Sequence, residues 1–145
     1  MPMLSIPELE ALCQTLVDSI PQLSGHVIVA EDNQATRKLA DKQKIILVGV
    51  IPSSDTDGRP GIRSEKQTAL FFVVKKHDTS APESRELADF ADTQQAALAI
   101  REYILSEQED NGCSIFFRLV TTSITITPEY NIFGGFLGWS ITFVF

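Results

Sequence analysis

The stretch Gly138-Trp139-Ser140-Ile141-Thr142-Phe143-Val144-Phe145 decides the fold of this chain. Its side chains alternate between two faces, with one face made of Trp139, Ile141, Phe143 and Phe145 and the other made of Ser140, Thr142 and Val144. A period of two predicts a half-buried β-strand. A segment this apolar frays in water unless a sheet holds it, so we expect a paired strand that completes the core.

Two amphipathic helices are predicted on either side of a group of strands. Ser5-Ile6-Pro7-Glu8 is a capping box, and it predicts a first helix over about residues 6–20. Ser80-Ala81-Pro82-Glu83 repeats the box and predicts a second helix over about 82–108, which Asn111-Gly112 stops. The apolar positions expected along one face of the second helix are Leu87, Phe90, Ala91, Ala97, Leu98, Ile104 and Leu105.

The segment between the helices predicts three strands. Residues 26–30 form a short candidate strand, and residues 31–42 are polar enough to be either a loop or one helical turn. Residues 44–51 are apolar on both faces, which favours a central strand. Residues 53–61 combine Asp-Gly with two glycines and a proline, which predicts a loop before a strand over about 66–76. Together they indicate a loop-tipped hairpin over about 43–77.

The last part of the chain predicts a final β-hairpin. Residues 114–127 are rich in β-branched residues and phenylalanine, and residues 128–137 form a connection that contains Gly134-Gly135. Blocks of helices and hairpins predict a single α+β domain over residues 1–145. We expect two layers, a mainly antiparallel sheet with two helices on one face, in the order α-β-β-β-α-β-β.

Charge is unevenly distributed along a chain whose net charge is −7. Residues 1–36 carry five acidic and no basic residues, residues 37–78 nine basic and five acidic, and residues 79–110 two basic and eight acidic. The overall sign argues against general nucleic-acid binding. Two readings stay open: a solvated acidic helix beside a basic hairpin, or two surfaces that meet across a subunit interface.

The compartment expected from composition is the cytoplasm. The chain has no run of 18 apolar residues, and Met1–Ser5 lacks the basic and apolar regions of a signal peptide. Cys13 and Cys113 are far apart, and a reducing compartment favours two buried thiols. We expect no membrane contact.

No sequence motif indicates an enzymatic activity. His77-Asp78 is an adjacent acid–base pair without a nucleophile at a useful spacing, and we interpret it as a polar turn. Asp55-x-Asp57-Gly58 lacks the remaining ligand positions and the flanking helices of a calcium loop. The glycines of residues 133–138 precede a strand rather than a helix, so they favour a bulged or tight entry over a phosphate loop. We therefore expect no catalytic residue, no metal and no cofactor.

The element order resembles that of the tail-terminator proteins of long-tailed bacteriophages, also called minor tail or tail-completion proteins. By residues, the likeness rests on Tyr130–Phe145: a tyrosine, a short loop, then an alternating strand that ends Trp-Ser-Ile-Thr-Phe-Val-Phe. The resemblance implies a homo-oligomeric ring, typically a hexamer, that caps the tail tube and joins it to the head connector. It also implies that DNA passes without specific binding, and that the protein is cytoplasmic during assembly and then part of the virion.

The interface expected on this reading combines the predicted hairpin loop with aromatic residues of the last hairpin. The aromatic residues could equally belong to the core. The candidate residues for contact with another subunit or a partner are Asp55, Asp57, Arg59, Arg63, Tyr130, Phe133 and Phe136. The alternative function is a small bacterial ligand-binding or adaptor domain without catalysis.

Overall fold

The computed structural model describes residues 4–59, 62–110 and 119–145, with the side chains of 54–66 and of 110 outside the description. Its elements are α1 (Ile6–Ser19), β1 (Gly25–Val29), α2 (Asp32–Leu39), β2 (Ile46–Arg59), β3 (Ile62–Lys76), α3 (Glu83–Asp110), a 3₁₀ turn (Thr121–Ser123), β4 (Thr125–Ile132) and β5 (Phe136–Val144). This is an α+β fold, which confirms the predicted class.

The strands form one five-stranded sheet in the order β1-β2-β3-β5-β4. β1 pairs in parallel with β2, and the three other pairings are antiparallel. The sheet is therefore mixed. The parallel pair is possible because α2 forms the crossover that brings β2 back beside β1 in the same direction.

The last strand lies inside the sheet, between β3 and β4. Ile141, Phe143 and Phe145 are buried, as the alternation predicted, and the ring of Phe143 stacks on Phe71 at a centroid distance of 6.1 Å. α1 covers β1 and β2, and α3 covers β3 and β5 on the same face. This part of the two-helix prediction is confirmed.

A third helix corrects the two-layer prediction. α2 buries Ala35 and Leu39 in a second core with Val48 and Val74, whereas Leu47 and Val73 belong to the core under α1 and α3. Neighbouring strand residues point to opposite faces, so α2 lies on the other side of the sheet. α2 has eight residues, of which two are buried. An apolar pattern this short does not distinguish a helix from a polar loop in the sequence.

The prediction of a loop over residues 53–61 is wrong for residues 53–59, which belong to β2. β2 and β3 stay in register from Ser53↔Thr68 to Arg59↔Ile62, and residues 60–61 lie outside the described residues. Pro52 sits where the register shifts between Val50 and Ser53, and a bulge accommodates a residue that has no amide donor. The ladder therefore continues through a stretch whose composition favours turns.

The predicted boundaries near the last hairpin also change. Within the described residues 119–137, the 3₁₀ turn and β4, which runs through Pro128, replace the end of the expected strand over 114–127 and the first part of the expected connection over 128–137. β4 is an edge strand, where proline is tolerated. The turn that follows contains Gly134 and Gly135 at positive φ, as expected for a tight entry into the last strand. Residues 111–118, with the predicted helix stop and Cys113, lie outside the described residues.

The two predicted capping boxes differ in outcome. The Ser5 hydroxyl accepts from the Glu8 amide at 3.2 Å and the Ser5 amide donates to Glu8 at 3.0 Å, so the first box is confirmed. These bonds lower the pKa of Glu8. The second box is not formed by Ser80, because α3 begins three residues later and the Ser80 hydroxyl donates to Asp78.

Gly138 is required by the close approach of β5 to β3. A Cβ atom at this position would lie 1.8 Å from the Val73 carbonyl oxygen, and φ is +158°. The Gly138→Ala variant should therefore lose at least about 3 kcal/mol in free energy of unfolding. Urea denaturation followed by circular dichroism measures the loss.

Gly25→Ala is the matched control for this substitution. Its added Cβ would meet only the Ile46 Cδ1 atom, at an ordinary 3.8 Å, so the free energy of unfolding should change by less than about 0.5 kcal/mol. Equal stabilities for the two variants would contradict the close approach at Gly138.

Cys13 should be chemically inert in the folded protein. Its side chain is fully buried on the core-facing side of α1, and burial raises the pKa of the thiol to about 12. In a Cys113→Ser background, a disulfide reagent at neutral pH should label Cys13 at least about 1,000-fold more slowly than in denaturant, since the thiolate is the nucleophile. Prompt labelling in buffer would contradict this burial.

Candidate functional site

The outer half of the β2–β3 hairpin leaves the sheet. The β3–β5 ladder ends at Thr68↔Val144, and reciprocal backbone bonds of 3.0 Å between Gln67 and Phe145 follow it. Beyond that point, residues 55–59 and 62–66 pair with one another, and no other described strand is registered with them. We call this ribbon the arm. Five residues in each direction correspond to about 17 Å.

The arm carries four of the predicted site residues. Asp55, Asp57 and Arg59 lie on its outgoing strand, and Arg63 lies on its returning strand opposite Gly58. The fold thus gathers them on one ribbon, as strand residues rather than loop residues. A two-stranded ribbon is marginally stable alone and exposes backbone donors and acceptors on both edges. The arm is therefore suited to contact another surface.

The predicted aromatic residues are not brought to the arm. Tyr130 lies on β4 near the Glu129↔Gly138 pair, at the opposite end of the sheet from Thr68↔Val144, and is 47% exposed. Phe133 and Phe136 are buried in the second core. An interface role for the three residues stays a prediction. Because Phe133 and Phe136 are buried, exposed Tyr130 is the better candidate.

A charged cluster that was missed by sequence analysis joins β3 to α3. Asp89 accepts from Lys75 Nζ at 2.8 Å and faces His77 Nδ1 at 3.3 Å, and both the Asp89 and His77 side chains are more than nine-tenths buried. The sequence signal lies in the spacing of α3. Asp89 occupies the same helical face as buried Thr93 and Ala96, where an apolar residue is expected.

The His77-Asp78 pair resolves into two separate roles. Asp78 accepts from the Ser80 amide at 2.9 Å and from its hydroxyl at 2.7 Å, which holds the turn before α3. These bonds, with smaller effects of His77 and Arg85, lower the pKa of Asp78. The contribution of this turn to stability is therefore complete above the ordinary pKa of Asp78 and is lost as the pH falls through the lowered one.

The chemistry open to the His77 cluster is limited by burial. A carboxylate that orients an imidazole is one half of a catalytic arrangement, and the other half is a nucleophile on the second ring nitrogen. Here Nε2 of His77 is buried and, within the described residues, has no hydrogen-bond partner, and the Tyr130 ring packs at a centroid distance of 6.0 Å. In the part of the chain that is described, no three His, Cys, Asp or Glu side chains are grouped to hold a metal ion.

Two open grooves lie beside β1 at the edge of the sheet. One, of about 400 Å³, is lined by Ile6, Glu10, His26, Val27, Ile28, Gln34, Lys38 and Ile51, and the other, of about 340 Å³, by Ser24, Gly25, His26, Asp41, Lys42, Gln43, Lys44 and Ile46. His26 lines both, so the grooves are neighbours. We call them the β1-edge grooves.

Comparison of the chain with protein-family models, with curated proteins and with solved structures finds no match. Among the helices described, none has the length and apolar character needed to cross a membrane.

The substitution Asp89→Asn should destabilise the fold. It leaves Lys75 and buried His77 without their shared carboxylate, and a lost hydrogen bond to a charged group corresponds to about 2 kcal/mol in free energy of unfolding. Chemical denaturation measures the difference from the unsubstituted protein.

Asp92→Asn is the control on the same helix. Asp92 is exposed, so its substitution should change the free energy of unfolding by less than about 0.5 kcal/mol. If both variants are as stable as the unsubstituted protein, Asp89 is not the link between β3 and α3.

Proposed function

We propose that the protein is a structural subunit of a phage or prophage tail. In this role, copies form a homo-oligomeric ring that caps the tail tube and joins it to the head connector. The observation that carries the proposal is the arm, a ribbon whose residues pair only with each other among the described strands. The element order of tail terminators, noted from the sequence, supplies the specific assembly.

A neighbouring copy is the natural partner for such an arm. The described core residues of β3 and β5, such as Phe71 and Phe143, lie outside the arm. Exposed edges of this kind are a hazard unless a partner covers them. A projecting element that seats on the next copy also gives a head-to-tail contact, and contacts of that type close into rings.

The charge of the chain suits a ring that surrounds DNA. The net charge is −7, and α3 carries all eight acidic residues of segment 79–110. Acidic groups facing a central channel repel phosphate groups and reduce binding of DNA in transit. The mechanism is passive: the ring terminates tube growth by occupying the last layer and presents a new surface to the connector.

Size analysis of the purified protein tests the proposal. Native mass spectrometry and light scattering at high protein concentration should show a closed oligomer, and electron microscopy should show a ring. Added to growing tubes of the tail-tube protein from the same genome, the ring should shorten them and lie at one end. A protein that stays monomeric at every concentration would overturn the proposal.

Replacement of the arm gives the matched variant. Ser54 pairs with Gln67, so an Asn-Gly turn in place of residues 55–66 closes the hairpin at that pair. Apart from the strand content of the arm itself, this variant should keep its secondary structure and its thermal midpoint, and it should lose the ring. If the ring persists without the arm, the arm is not the contact that builds it.

The alternative function, a ligand-binding or adaptor domain, is favoured by the β1-edge grooves. Both are open rather than enclosed, and they mix apolar walls with lysine side chains. Pockets for small ligands are usually concave enough to bury most of the ligand. The grooves are therefore better suited to receive protruding side chains of another protein.

A further inference from the structure

An apolar stripe runs along the solvent side of α3. Leu87 is 59% exposed and Leu98 36% exposed, and exposed Ala91 and Gln94 lie between them on the same face. Spacings of four, seven and eleven residues keep these positions on one helical face. The buried residues of α3 form a different ridge, which consists of Asp89, Thr93, Ala96, Ala97, Ile100 and Ile104. The two leucines are therefore not part of the protomer core, and the sequence prediction had merged the two faces.

The surroundings of this leucine stripe are acidic. Glu83 lies one turn before Leu87, and Glu102, which faces Arg101 at 3.5 Å, lies one turn after Leu98. Apart from buried Asp89 and the undescribed side chain of 110, α3 carries six carboxylates and two arginines. The carboxylates are Glu83, Glu86, Asp92, Glu102, Glu107 and Glu109, and the arginines are Arg85 and Arg101.

The β1-edge grooves have the complementary shape and charge. The larger groove has apolar walls that include half-exposed Ile6 and partly buried Ile28. Three lysines line the grooves, Lys38 in the larger one and Lys42 and Lys44 in the smaller one, against two carboxylates, Glu10 and Asp41. Lys38 Nζ donates to the Ile28 carbonyl at 2.6 Å, so part of this basic rim is fixed on the edge strand.

The distance between the two leucines also matches the length of the β1 edge. Eleven helical residues separate Leu87 from Leu98, which is about 16 Å along the axis. β1 has five residues, and a strand of that length spans about 16 Å. Two protruding leucines thus have a separation comparable to the length of the edge along which the adjacent grooves lie.

We infer that the leucine stripe of one copy docks into the β1-edge grooves of the next copy. The partner is a second copy of this chain, because one molecule carries both an acidic ridge with apolar knobs and a basic edge with apolar recesses. α3 packs over β3 and β5, whereas the grooves flank β1 at the sheet edge. The two patches are different surfaces, so the contact is heterologous and repeats around a ring. This inference rests on the proposed oligomer and adds a second contact between neighbouring copies to the one made by the arm.

Sedimentation velocity of two interface variants tests the inference. Leu87→Arg with Leu98→Arg places cations against the basic edge, and Lys42→Glu with Lys44→Glu places carboxylates against the acidic helix. Each double variant should bind its own copies at least about thirtyfold more weakly than the unsubstituted protein. Lys38 stays unchanged because of its bond to Ile28.

Mixing the two variants gives the decisive measurement. The stripe variant keeps intact grooves and the groove variant keeps an intact stripe, so an equimolar mixture should form a complex that neither variant forms alone. The control is Ala88→Arg with Gln95→Arg, which adds the same charge to exposed positions of α3 off the stripe and should leave the oligomer unchanged. Circular dichroism confirms that each variant is folded.

The outcomes separate this inference from the proposed function. If the unsubstituted protein forms a ring and both interface variants form it equally well, the docking inference is overturned and the ring stands. If the off-stripe control also dissociates the ring, general charge rather than the stripe governs assembly, and the docking inference is again overturned. If the unsubstituted protein never assembles, the proposed function itself fails.

Discussion

The pairing of β5 with β3 is the constraint on which the rest of the structure depends. Nine residue pairs join the two strands, from Thr68↔Val144 to Lys76↔Phe136, and β4 reaches the sheet only through β5. A slip of one residue would exchange the two faces of β5 and would put Ile141 and Phe143 on the wrong side of the sheet. Gly138 fixes this register, because only a residue without a side chain fits against the Val73 backbone.

The arm follows from the unequal lengths of these strands. β3 has 15 residues and β5 has nine, so β3 continues with β2 after its other neighbour has ended. The backbone groups that β5 and β1 satisfy within the sheet are left without a strand partner along the described arm. A surface available for assembly thus arises where the ladder of the core stops.

The sequence predicts an element best where a single period repeats without interruption. The alternation of residues 138–145 and the helical spacing after Ser5 each predicted an element and its buried face. Predictions from sequence fail where tertiary contacts override local composition. The β2–β3 ladder carries Asp57 and Gly58 through a stretch that resembles a turn, and α2 depends on Ala35 and Leu39 alone for its packing. Asp89 escaped notice because its partners, Lys75 and His77, are brought to it only by the fold.

The distribution of exposed apolar residues argues for assembly independently of the arm. Leu87 and Leu98 lie on the far side of a helix that already has a complete buried ridge, so removing them would not open the core. The exposed parts of leucines aligned over three turns add little to the folding of one copy, yet they would contribute to a contact between copies. Because the arm, the leucine stripe and the β1-edge grooves occupy different parts of the protomer, each copy can give and receive contacts at the same time. That division of surfaces is what a closed head-to-tail ring requires of every subunit.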